Sequence, residues 1–141
     1  MEKGIIVIGL GPGDPHLLTR EAWDVLSDAV ELHLRTGFHP IVPALPAHLE
    51  VNTFDSLYDE LDSFEAVYAA IVDRLIDLAA NSNPVVYGVP GDPTVGEATV
   101  VELRHRTKEL GVELCNPATL LLYHIAKAQQ VWVGKSDPDN T

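Results

Sequence analysis

The chain has 141 residues, 46% of them hydrophobic and 21% charged, enough for one domain with its own core and too few for two ordinary ones. Its net charge is −12, and the nine basic residues form no run, which argues against nucleic acid as a partner because such binding rests on neutralised phosphates. No apolar stretch approaches the ~18 residues of a membrane span, the start MEKGIIVIGL lacks a signal peptide's n-region and cleavage site, and the lone Cys115 cannot close an internal disulfide, so a cytoplasmic protein away from membranes is expected.

Taken in chain order, Lys3 to Ile8 is a short β-branched apolar run that reads as a buried parallel strand. A glycine-rich loop, GLGPGDPHLLT, leads into the helical pattern TREAWDVLSDAV, with Ala22, Val25, Leu26 and Ala29 on one face and Thr19 as N-cap. VELHLR then alternates, with Val30, Leu32 and Leu34 on the inner face of a second strand. Residues 37–48 hold three prolines and read as loop with at most a short helical turn, and a third, short strand follows over Glu50 to Phe54. The acidic stretch from Asp55 to Asp62 has no calcium-loop pattern and reads as a solvated face. A helix is predicted over 63–79, its stripe made by Phe64, Val67, Tyr68, Ile71, Leu75 and Leu78, with Asp62 and Glu65 as a capping box. Pro84 to Val89 is a fourth strand, Thr94 to Leu110 a helix, Gly111 to Cys115 a fifth strand and Thr119 to Ala128 a last helix. The tail VWVGKSDPDNT begins like a strand. Strands alternating with helices predict an open, mostly parallel five-stranded α/β sheet with flanking helices.

In such sheets ligands bind beyond the carboxyl ends of the strands. Two Gly-Asp-Pro turns sit there: Gly13-Asp14-Pro15 after the first strand and Gly91-Asp92-Pro93 after the fourth. Glycine permits a positive φ and close approach to the backbone, aspartate can cap the next helix, and proline suits a first helical position. Each turn has a purely structural reading as a helix start; their pairing at the strand ends of one sheet also supports a shared ligand site. A capping carboxylate takes up N–H groups that a phosphate would need, so the first loop suits a polyphosphate poorly. Gly9, Gly11 and Gly13 also miss the dinucleotide spacing, since position 14 is aspartate. The six histidines have no metal-ligand spacing, and no G-x-S-x-G or Cys/His pair offers a covalent nucleophile.

GLGPGDPHLLTREAWDVL together with VVYGVPGDPTVGEATVVEL resembles the tetrapyrrole (corrin/porphyrin) methylase family, whose first loop has the pattern G-x-G-P-G-D-P-x-L-L-T. Arg35-Thr36, His39-Pro40 and FDSLYDELDSFEAVY are similar to the methylase-like domain fused ahead of a MazG-type nucleotide pyrophosphohydrolase. The resemblance implies a first lobe over 1–115 and, in 116–141, a helix and tail that begin a missing second lobe. It implies S-adenosylmethionine as cofactor, lined by Gly11, Pro12, Gly13, Pro90, Gly91, Asp92, Val95 and Thr119, with Asp14 as the candidate catalytic residue near the transferred methyl. It further implies a small-molecule substrate, a homo-oligomer such as a homodimer, and a MazG-type domain downstream or in trans. At Asn116-Pro117-Ala118-Thr119-Leu120 the sequence departs from the family's Pro-Gly-aliphatic-Ser/Thr pattern: Pro117 in register puts Leu120 at the hydroxyl position, and a one-residue shift restores Thr119 but loses the proline.

Two functions are open at this level. One is a lobe of an S-adenosylmethionine-dependent methyltransferase, inactive alone. The other is a non-catalytic binding or assembly module associated with a MazG-type nucleoside triphosphate pyrophosphohydrolase. Charge separates them in part, because a −12 lobe repels polycarboxylate tetrapyrroles unless basic groups line the cleft.

Overall fold

The apolar run after the first residues forms β1 (Ile5–Gly9), an inner strand of a sheet whose spatial order is β3-β2-β4-β1-β5. The other strands are β2 (Glu31–Leu34), β3 (Glu50–Thr53), β4 (Val85–Val89) and β5 (Leu114–Cys115). Every strand pairing is parallel. The computed structural model describes residues 4–81, 85–93, 97–110 and 114–115. The expected helix over 119–128, the tail, the whole proposed second unit from residue 116, and the first three residues of the expected fifth strand lie outside them.

Alternation along β1 and β4 divides the core between the two faces of the sheet. Ile5, Val7, Val85, Tyr87 and Val89 pack under α3 (Phe64–Asn81) and α4 (Ala98–Leu110), joined by Val67, Ile71, Leu75, Val100 and Leu103. Ile8, Leu10 and Val86 face the other way, against Ala22 and Leu26 of α1 (Arg20–Asp28) and against Leu32, Leu34 and Ile41. β1 and β4 are buried on both faces, as the middle of a parallel sheet between helix layers requires, while the edge strand β3 is exposed. α1 starts where its sequence directs: the Thr19 hydroxyl accepts the Ala22 N–H at 2.9 Å.

Several boundaries differ from the sequence reading. Val30 lies before β2 and is 76% exposed, so the inner face of that strand carries Leu32 and Leu34 alone. The acidic stretch contains a short helix, α2 (Asp55–Glu60), and Leu57, Tyr58 and Leu61 pack on the core. Its hydrophobic residues decide this, since one face of the turn finds core to cover. The capping box shifts by one residue: Ser63, not Asp62, accepts the Ala66 N–H, at 3.1 Å. α3 also runs two residues further, to Asn81, and Phe64, at 66% exposure, stands outside its buried stripe. α4 begins at Ala98 instead of Thr94, since Glu97 is not helical and its carbonyl accepts from Val100 and Val101.

Glu97 is 6% exposed and organises a buried polar chain across the layer between α4 and the sheet. Thr99 Oγ1 donates to Glu97 Oε2 at 2.5 Å, which leaves the Tyr87 hydroxyl as donor to Thr99, 2.8 Å away. Burial holds the Tyr87 phenol well above its ordinary pKa, so it stays a neutral donor. Arg35, just past β2, turns its Nε to Glu97 Oε1 at 3.4 Å. The contact is one of charge, because that buried Nε has no aligned hydrogen-bond acceptor among the described residues. Glu97→Ala would leave the half-buried guanidinium without its counter-charge, and a loss of roughly 3 kcal/mol in urea unfolding is expected. Glu97→Gln, which keeps an acceptor for Thr99, should lose less; equal losses would show that the hydroxyl chain contributes nothing.

His33 stands in β2 with its ring stacked on Phe54, centroids 6.3 Å apart. Burial lowers its pKa from 6.5, against the opposing pull of Glu31, whose Oε1 is 3.6 Å from Nε2. The unfolded chain therefore binds this proton more readily than the folded one. The stability that neutral His33 contributes is complete above about pH 6.5 and is lost as pH falls below it. Urea midpoints for wild type and His33→Gln should converge as pH drops through that value; parallel profiles would refute the assignment.

Candidate functional site

The chain leaves β1 and β4, which are neighbours, toward opposite faces of the sheet, through α1 and α4 respectively. A crevice opens at such a switch point beyond the strand ends. Both Gly-Asp-Pro turns lie there, and they are joined. Gly11 N–H donates to the Gly91 carbonyl and Gly91 N–H donates to the Gly11 carbonyl, each at 3.1 Å, in an antiparallel bridge. Leu10 N–H donates to Val89 at 2.8 Å just before it.

Glycine is needed here for two different reasons. Gly11 and Gly91 have φ of +66° and +68°, where side chains are strained. Gly9 sits so close to the second turn that a Cβ would lie 2.8 Å from Pro93 Cδ and closer still to the Gly91 carbonyl oxygen. At Gly91 the opposite holds: among the described residues a Cβ would meet nothing within 4 Å. Toward the described residues the second turn therefore presents bare backbone to open space.

Asp14 caps the three-residue 3-10 turn Pro15–Leu17, its Oδ1 accepting the His16 N–H at 2.9 Å and lying 3.1 Å from His16 Nδ1. The bond from His16 N–H holds the Asp14 carboxyl below its ordinary pKa. Pro15 takes the first helical position, as the sequence predicts for this turn. The second turn behaves otherwise: α4 starts five residues after Pro93, so Asp92-Pro93 does not open that helix directly. Of the remaining expected site residues, exposed Pro12 and half-buried Gly13 continue the first turn, and half-buried Pro90 and Asp92 flank Gly91. Val95 and Thr119 lie outside the described residues. Among the described residues no group of three His, Cys, Asp or Glu could hold a metal ion.

Residue chemistry alone gave no role to a third segment, the loop from Arg35 to Ile41. Arg35 N–H donates to the Gly88 carbonyl at 3.1 Å, and Gly37 N–H donates to Asp55 Oδ2 at 2.9 Å. Burial acts to raise the Asp55 pKa, but hydrogen bonds from Thr36, Gly37 and Thr53 outweigh it and hold the group low. The loop's far end reaches the first glycine turn: His39 Nε2 lies 3.0 Å from the Gly11 carbonyl oxygen, and the Pro40 ring covers Gly13, where a Cβ would come within 2.8 Å of Pro40 Cγ. Only the spacing of Arg35-Thr36 and His39-Pro40 marked this segment beforehand, through the family resemblance.

The arrangement disfavours a phosphate. The Gly11 and Gly91 N–H groups each donate to the other's carbonyl, and the His16 N–H to Asp14, so these donors are not turned to an anion. What the crevice offers is glycine backbone, an open surface over Gly91, and carboxylates in both turns.

The chain is similar to several known proteins. The chain is 40% identical over 115 residues to the uncharacterized protein YabN of Bacillus subtilis, a match covering 81% of this chain and 23% of that protein. The structure is similar to uroporphyrin-III C-methyltransferase from Thermus thermophilus, with a TM-score of 0.59 and 27% identity over 82% of this chain and 47% of that one. A uroporphyrin-III C-methyltransferase from T. thermophilus complexed with S-adenosyl homocysteine (TM-score 0.54, 21% identity, 80% and 43% covered) and a cobalt precorrin-4 methyltransferase of cobalamin biosynthesis (0.55, 22%, 79% and 44%) share the fold. The chain thus spans about a quarter of its curated relative and about half of these structures. Residues 4–138 match the Tetrapyrrole (Corrin/Porphyrin) Methylases, and the chain belongs to that family.

Proposed function

We propose that this chain is the first lobe of an S-adenosylmethionine-dependent methyltransferase, and that the bridged glycine turns line its adenosyl site. The observation that carries the reading is the Gly11–Gly91 pair, which closes the backbone to phosphate while leaving open space above Gly91. A neutral adenosyl group beside a cationic sulfur fits that surface, where a pyrophosphate would meet carboxylates and occupied donors. The bound cofactor would supply an electrophilic methyl group on a positively charged sulfur. Pro12 and Gly13 would flank it on one side, and Pro90, Gly91 and Asp92 on the other; Val95 and Thr119 complete the set by family resemblance.

Asp14 takes an electrostatic part in this proposal. Its Oδ1 holds the turn, and its negative charge faces solvent at the rim of the crevice. Methyl transfer to a nucleophile is an in-line displacement that depends on alignment more than on an acid or base, so this lobe contributes fixed backbone. The acceptor, by family a tetrapyrrole, would meet basic groups from a second lobe that starts near residue 116 and is paired in a homodimer. A second reading rests on the match to a relative more than four times longer than the shared stretch: the lobe serves there as a binding module beside another activity, such as a MazG-type pyrophosphohydrolase.

Calorimetry with S-adenosylmethionine, S-adenosylhomocysteine, ATP and NAD tests the proposal. Both adenosyl ligands should bind and the two phosphate ligands should not; tight NAD binding would return the site to a dinucleotide reading. Gly91→Ala should weaken both adenosyl ligands about tenfold, by filling the space beside the turn and by straining its positive-φ backbone. Asp14→Asn keeps the cap's oxygen but removes its charge. It should weaken the sulfonium ligand more than the uncharged thioether, and an equal effect on both would remove the electrostatic role.

A further inference from the structure

The Gly11 carbonyl oxygen accepts two hydrogen bonds, one from Gly91 N–H at 3.1 Å and one at 3.0 Å from His39 Nε2. The second needs a hydrogen on Nε2. The backbone supplies it by occupying the other nitrogen: Ile41 N–H donates to His39 Nδ1 at 3.2 Å, so Nδ1 must be a bare acceptor. Ile41 itself is fully buried beneath α1, which fixes the donor. Behind His39, the Pro40 ring closes on Gly13, whose φ is +134°. At the loop's start, Arg35 and Gly37 are tied to β4 and α2. The imidazole is thus a strut between an anchored loop and one of the two carbonyl oxygens that join the glycine turns.

We propose that His39, in its Nε2–H tautomer, is a positioning residue that sets the first glycine turn against the second and so shapes the adenosyl site. The inference rests on the adenosyl reading for its functional consequence, and on geometry alone for the positioning itself. His39 reaches the ligand only through Gly11; it takes no part in chemistry. Without the strut the bridge would keep its own two hydrogen bonds but lose the support that holds Gly11 in its positive-φ conformation.

Two near-isosteric variants separate the two nitrogens. Glutamine at 39 can place an amide N–H where Nε2 lies and donate to Gly11. Asparagine can only replace Nδ1 and accept from Ile41. Long-range 1H–15N correlation on the full chain should show Nε2 protonated and Nδ1 bare in wild type. Amide exchange at Gly91, whose N–H ends on the same Gly11 oxygen, should accelerate in His39→Asn and stay near wild type in His39→Gln. S-adenosylhomocysteine affinity should fall about tenfold in His39→Asn and be largely retained in His39→Gln. A predominant Nδ1–H tautomer, or equal exchange and affinity in the two variants, would overturn the proposal. Should wild type bind no adenosyl ligand while tautomer and exchange behave as stated, the positioning role stands and the adenosyl reading falls.

Discussion

One oxygen atom, the Gly11 carbonyl, ties together the parts of this structure that bear on function. It accepts from the second glycine turn and from the loop after β2, so two turns and one connecting loop meet at a point. The topology makes that meeting possible. β4 inserts between β2 and β1, which brings the ends of the first and fourth strands side by side although nearly 80 residues separate them in the chain. The bridge then needs glycine at both ends, because its geometry calls for positive φ. Strand order, turn chemistry and the open surface above Gly91 are therefore one constraint seen at three levels.

The same edge is held from behind by charge. Glu97 is buried where α4 begins, with Thr99 on one oxygen and Arg35 opposite the other, and Tyr87 extends the chain into β4. A buried ion pair contributes little net stability against apolar packing, but its geometry is demanding. Here it links the end of β2 to the start of α4, across the strand that carries the second glycine turn. Arg35 also donates its backbone N–H to Gly88, so one residue is fixed at both its main chain and its side chain. The loop that presents His39 is consequently anchored before it reaches the site.

Much of this was legible in the sequence because local chemistry and global fold agree. The β-branched runs, the Thr19 cap and the helical stripe of Val67, Ile71 and Leu75 each specify one element, and the alternation of elements specifies the sheet. The placement of both Gly-Asp-Pro turns at one edge followed from topology rules. What was not legible depended on tertiary context. Charge in the 55–62 stretch hid α2, whose Leu57, Tyr58 and Leu61 matter only once a core lies beneath them. Val30 continued an alternating pattern, yet the strand begins after it and the side chain stands in solvent. The late start of α4 coincides with Glu97, which is buried opposite Arg35, far away in sequence. No spacing rule predicts that a histidine will find a glycine carbonyl 28 residues earlier.

Taken with the charge of the molecule, the crevice makes a definite electrostatic statement. A loop built to hold phosphate offers free N–H groups at a helix start; this one turns its donors inward and places the Asp14 carboxylate outside. Such an arrangement costs affinity for anions and costs none for a cationic sulfur. On the methyltransferase reading proposed above, it also bears on how methyl transfer would be favoured. Displacement at a methyl carbon develops no new oxyanion, so a lobe that supplies rigid, correctly spaced backbone contributes through alignment. Rigidity in turn rests on hydrogen bonds that are closed within the protein before any ligand arrives. The reciprocal glycine pair is such a closure, and its stiffness comes from the residues that brace it more than from the glycines themselves.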